Sequence, residues 1–151
     1  MRRFETTVDI EASPERVWAV LSEVLLMPTW TRSMTSVELE PAGPLAVGSR
    51  ARIVQPKLSP ATWVVTEVVP GRSFTWTSKA MGSDVTASHT LTPTSSGATV
   101  ELAVQYDGTT SALVAGLTRK ITTKYLRMEA DGLKAACEQP RRGTTARGTS
   151  R

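Results

Sequence analysis

The chain has 151 residues, enough for one domain with a sizeable core, and its 40% hydrophobic and 21% charged residues suit a globular protein in water. No apolar run approaches the roughly 20 residues of a membrane span. The net charge of +4 is local: Arg141, Arg142, Arg147 and Arg151 lie in residues 139–151 with no acid, and setting those 4 aside leaves 14 basic residues against 14 acidic ones. The body is formally neutral, so no nucleic-acid surface is expected, and 139–151 reads as a disordered basic tail. Behind Arg2-Arg3 come Glu5, Asp9 and Glu11 rather than an apolar segment, which is not a signal-peptide pattern. The single cysteine, Cys137, excludes an internal disulfide and fits a reducing cytoplasm.

Residues 4–11 alternate apolar or Thr with charged or Thr, as a half-buried strand does. Ser13-Pro14-Glu15 then supplies a cap, a proline for the first helical position and an acid for the N-terminal dipole. Val17, Val20, Leu21 and Val24 continue at helical spacing, and Pro28 and Trp30 mark a turn and a second short helix. From Ser36 the texture is strand and turn: strands are predicted at 36–40, 49–55, 61–69, 73–79, 84–92 and 98–106. Short links make them an antiparallel meander, and the first strand brings the sheet to seven.

The last element predicted is a helix over 109–138, capped by Asp107, Thr109 or Thr110 and stopped by Pro140. Leu113, Leu117, Ile121, Tyr125 and Met128 form its apolar stripe. Gly116 and Gly132, costly in a helix interior, read as close-approach or kink sites. A helix this long needs a wide, curved partner, so the fold class is α+β, with the sheet curling around the helix.

Residues 8–22, VDIEASPERVWAVLS, followed by Met27-Pro28-Thr29-Trp30, resemble the opening of the bacterial polyketide cyclase/dehydratase-like branch of the START/Bet v 1 superfamily. Val47-Gly48-Ser49-Arg50, the hairpin at 66–76, Leu91-Thr92-Pro93 and Gly97-Ala98-Thr99-Val100 resemble later motifs of the same branch, and the likeness spans 3–138. It implies one helix-grip domain over 1–138 with an apolar cavity between sheet and long helix. It also implies binding or carriage of a lipid, polyketide or isoprenoid-like molecule, and, in some members, cyclisation or dehydration. The Gly-rich loop of plant relatives has no counterpart at 56–60, and the extra Cys and His ligands of iron–sulfur relatives are absent.

Within that frame His89 is the candidate general base, because it shares strand parity with Val85, Ala87 and Leu91. The expected cavity wall is Trp30, Ile53, Val64, Thr66, Trp76, Ser78, His89, Leu102, Leu113, Leu117, Ile121 and Tyr125. The direction of Trp63 stays open, since a bulge in its strand would reverse the parity. One His and one Cys cannot supply an ordinary zinc set, and no phosphate-binding loop is present, so no metal and no cofactor are expected. Three functions remain: a hydrophobic-ligand carrier, a polyketide cyclase or dehydratase using His89, and a protein-interaction module. A monomer or homodimer is expected in each case.

Overall fold

The computed structural model describes residues 1–139; beyond Gln139 the basic tail expected over 139–151 lies outside them. Strand β1 (Arg2–Ile10) leads to helix α1 (Pro14–Ser22), a 3₁₀ turn at Val24–Leu26 and helix α2 (Met27–Trp30). Six strands follow: β2 (Ser36–Glu40), β3 (Arg50–Val54), β4 (Ala61–Val69), β5 (Ser73–Ala80), β6 (Ser83–Thr94) and β7 (Gly97–Asp107). Helix α3 (Ser111–Glu138) closes the described chain. The strands form one seven-stranded antiparallel sheet in the order β1-β7-β6-β5-β4-β3-β2. This is the expected helix-grip fold.

Local chemistry explains the turns and ends. Met81 and Gly82, between β5 and β6, take φ of 50° and 82°, the positive values a tight two-residue hairpin demands. Ser13 caps α1, its Oγ accepting from the Arg16 N–H at 3.1 Å. The start of α3 differs from expectation. Thr110 is the capping residue but makes no side-chain bond to the helix; its hydroxyl donates instead to the Met81 carbonyl at 3.1 Å, tying α3 to the β5–β6 turn.

The far end of α3 is held by the first helix. The Arg16 guanidinium donates to the carbonyls of Cys137 (2.6 Å), Ala136 (3.2 Å) and Gln139 (3.0 Å), which have no partner further along the helix. A cation suits that end of the dipole. Glu138 in turn accepts from the Glu11 N–H at 2.8 Å and from Lys134 at 2.7 Å. The stretch that carries the resemblance is therefore a cradle for the C-terminus of α3.

Gly132 makes the close approach anticipated for it: a Cβ there would lie 2.0 Å from the Trp30 carbonyl oxygen. A Cβ on Gly116 would meet nothing within 4 Å, so that glycine is no close-approach site. The main core packs α1, α2 and the second half of α3 on the sheet through Val17, Leu21, Phe74, Leu91, Val100 and Leu133. A smaller cluster of Val85, Tyr106, Val114 and Ala115 sits under the first half of α3. Members of both clusters line one cavity.

Candidate functional site

The cavity, about 510 Å³, lies between the concave face of the sheet and α3. Cross-strand register builds its sheet wall. His89 and Leu102 stand in one row across β6 and β7, continued on β5 by the core residue Phe74, and Trp76, Ala87 and Val104 stand in the next. The rows share a face because side chains two apart on a strand do. The rim is made by the β3–β4 loop, with exposed Leu58, Ser59 and Pro60, and by Lys79 and Met81 at the β5–β6 turn.

Of the expected wall, Ile53, Trp76, Ser78, His89, Leu102, Ile121 and Tyr125 line this space. Trp30, Val64, Thr66, Leu113 and Leu117 do not. Val64 and Thr66 fail because of a bulge: Val65 pairs with Trp76 but Glu67, not Thr66, pairs with Thr75. Before the bulge the odd residues face inward, so Val65 is buried and Trp63 meets Trp76 with ring centroids 6.2 Å apart. Trp63 is thus a wall residue.

Leu113 and Leu117 are 64% and 67% exposed. The reason is angular. Residues four apart on an α-helix are offset by roughly 40°, so a strict i, i+4 series winds around the axis. The series starts in solvent at Leu113, reaches the cavity at Ile121 and Tyr125, and arrives next at Glu129, which also lines it. Trp30 is displaced for a different reason: it packs α2 against Gly132, away from the cavity.

Hydrogen bonding fixes His89. Its Nδ1 lies 3.2 Å from the Phe74 carbonyl oxygen, its ring stacks on Phe74 at 4.0 Å, and Trp76 meets it edge-on at 5.5 Å. A carbonyl only accepts, so Nδ1 carries the proton and Nε2 keeps a lone pair. Burial lowers the imidazole pKa to about 4, against the raising effect of the Phe74 carbonyl. It is neutral near pH 7 and a weak base there.

Sequence reasoning missed Glu129. This carboxyl is 9% exposed and makes no hydrogen bond or ion pair among the described residues, and burial raises its pKa to about 7. Its signal was its place four residues after Tyr125; its charge masked that signal. A hydroxyl group of three was missed too. Tyr106 Oη lies 3.0 Å from Thr122 Oγ1 and 3.1 Å from Thr118 Oγ1. Parity with Leu102 and Val104 marks Tyr106 as inward-facing.

Cys137 belongs to the main core, and burial raises its thiol pKa to about 11, so it is no partner for His89. Among the described residues no three His, Cys, Asp or Glu side chains converge as a metal set would, and no helix is long and apolar enough to cross a membrane.

The model of one family, described as polyketide cyclase / dehydrase and lipid transport, matches residues 1–138. The chain belongs to that family. Solved structures share its fold at low identity. The di-domain ARO/CYC StfQ from the steffimycin biosynthetic pathway is similar over 90% of this chain and 50% of its own, at 15% identity and a TM-score of 0.71. Protein CV1439 from Chromobacterium violaceum is similar over 93% and 100%, at 16% identity and 0.68. Ara h 8.0201 is similar over 89% and 98%, at 11% identity and 0.64. No curated protein matches the chain.

Proposed function

We propose that residues 1–138 form a binding domain for a small, mainly apolar molecule, held in the cavity between the sheet and α3. One observation carries this reading: a space of about 510 Å³ is walled mainly by apolar residues, Trp63, Trp76, Leu102 and Leu126 among them, with polar groups such as His89 and Glu129 set between them. Ligand sites have this anatomy, apolar walls with sparse orienting groups. Native mass spectrometry of the purified protein tests it, together with fluorescence titration with 8-anilinonaphthalene-1-sulfonate. Saturable binding that weakens in Trp76→Ala is expected. No bound small molecule and no saturable dye binding would sink the reading.

A second reading is catalysis of the cyclase or dehydratase kind. It is favoured by His89 and Glu129 lining one cavity with displaced pKa values, a pattern common at reactive sites. With His89 at about 4, Glu129 at about 7 is the group better matched to proton transfer near neutrality. Turnover of a poly-β-carbonyl thioester that is lost in Glu129→Gln separates this reading from carriage.

A further inference from the structure

The polar groups of the cavity are biased toward one ligand chemistry. This inference rests on the ligand-site reading above. His89 presents an unprotonated Nε2, because Nδ1–H is committed to the Phe74 carbonyl. Glu129 has no hydrogen-bond or ion-pair partner among the described residues, and its carboxylate is an acceptor. Trp30 Nε1 is the one fully enclosed side-chain N or O atom lacking a partner among the described residues. The Glu129 oxygens and His89 Nε2 make no hydrogen bond among the described residues either, and both side chains line the cavity. Most side-chain hydroxyl donors are already engaged; among the described lining residues the hydroxyls of Ser88 and of Ser59 at the rim are the exceptions. The hydroxyls of Tyr106, Thr118 and Thr122 bond to one another or to the Val114 carbonyl. The Tyr125 hydroxyl donates to the Pro56 carbonyl. The one cation among the described wall residues, Lys79, stands at the rim with its side chain 79% exposed, 2.5 Å from Asp84.

A cavity with two open acceptors, one of them a carboxyl, and tryptophan walls is complementary to a donor cation. We propose that the ligand is a hydrophobic molecule bearing a protonated amine. Its ammonium donates to the Glu129 carboxylate and to His89 Nε2, and its apolar body lies against Trp63 and Trp76.

The reading has a proton-linked consequence. The titratable groups sharing this cavity with Glu129 are His89 on β6, Tyr106 on β7, Tyr125 on α3 and Lys79 at the rim. None acts as a counter-charge, and burial alone displaces Glu129. An ammonium beside the carboxyl favours the ionised form. Binding an amine below about pH 7 must therefore expel the Glu129 proton, whereas binding a neutral isostere need not.

The test compares 2-(1-naphthyl)ethylamine with 2-(1-naphthyl)ethanol by isothermal titration calorimetry on the full chain, in buffers of differing ionisation enthalpy. At pH 8 the amine should bind on the order of tenfold tighter than the alcohol. Glu129→Gln should abolish that preference, and a far-UV circular dichroism spectrum like that of the wild type shows that the variant folds. In the wild type at pH 6, the amine alone should release close to one proton per site, a readout that needs no variant. Equal affinity of the two probes, a preference that survives Glu129→Gln, or no proton release overturns the amine assignment but leaves the cavity as a ligand site. If neither probe binds and anilinonaphthalene sulfonate does not bind either, the ligand-site reading falls and the assignment falls with it.

Discussion

The phenol of Tyr125 donates to the backbone carbonyl of Pro56, joining the middle of α3 to the β3–β4 loop at the cavity rim. The loop residues that follow, Leu58, Ser59 and Pro60, are exposed and line the opening. The bond is thus a strap beside that opening. Tyr125→Phe removes the donor and keeps the ring. We expect a stability loss of about 1 kcal/mol, typical of one hydrogen bond. Dissociation of an apolar dye should quicken more than its affinity falls. Stopped-flow fluorescence measures both rates, and unchanged rates would mean that the strap does not gate the cavity.

The two glycines of α3 should respond in opposite ways to alanine. At Gly132 the new Cβ would sit 2.0 Å from the Trp30 carbonyl oxygen, and backbone cannot yield as a flexible side chain does. A loss of about 1–3 kcal/mol is expected from such overpacking. At Gly116 the new methyl meets nothing within 4 Å, and helix propensity gains up to about 1 kcal/mol. Thermal melts of the two variants decide this. A destabilised Gly116→Ala would show that α3 needs flexibility there after all.

Arg16 bonds three carbonyls at the end of α3, from a position 120 to 123 residues earlier in the chain. Arg16→Ala leaves those acceptors to water and loosens α1 from α3. Hydrogen bonds to a charged group are worth about 1.5–3 kcal/mol, and the cost should fall in that range. Lysine should rescue only part, since a point charge cannot span three carbonyls as a planar fork does. Denaturant melts of both variants give the comparison. Equal stability of Arg16→Lys and wild type would refute the multi-carbonyl role.

The order of elements was legible because each carried its own local signal. Ser13-Pro14 marked α1, the turns at 81–83 and 95–97 marked hairpins, and period-2 alternation marked β7. The cavity wall was less legible, for two physical reasons. A single bulge at Thr66 reverses which residues of β4 face inward, and nothing in the alternation of 61–69 announces it. On α3, reading i, i+4 as a straight stripe ignored its winding, so Leu113 and Leu117 were assigned inward although they lie in solvent. Followed one step further, the same series lands on Glu129, whose carboxyl looked like a surface residue.

Glu129 and His89 should oppose each other in the pH dependence of stability. Glu129 has a folded pKa of about 7, raised from 4.5, so the folded state binds more protons between those values and stability falls as pH rises through that window. His89 has a folded pKa of about 4, lowered from 6.5, so the unfolded state binds more protons and stability is lost as pH falls through its window. Each effect alone amounts to about 3 kcal/mol across its window, and between pH 4.5 and 6.5 the slopes have opposite signs. The contribution of this pair to the wild-type profile should therefore be nearly flat there. Relative to wild type, Glu129→Gln should gain stability as pH rises from 4.5 to 7, and His89→Gln should lose it as pH rises from 4 to 6.5. Urea midpoints between pH 4 and 7.5 give the difference curves, in which exposed groups common to all three proteins cancel. Parallel profiles for all three would mean that neither group is held in its uncharged form by burial.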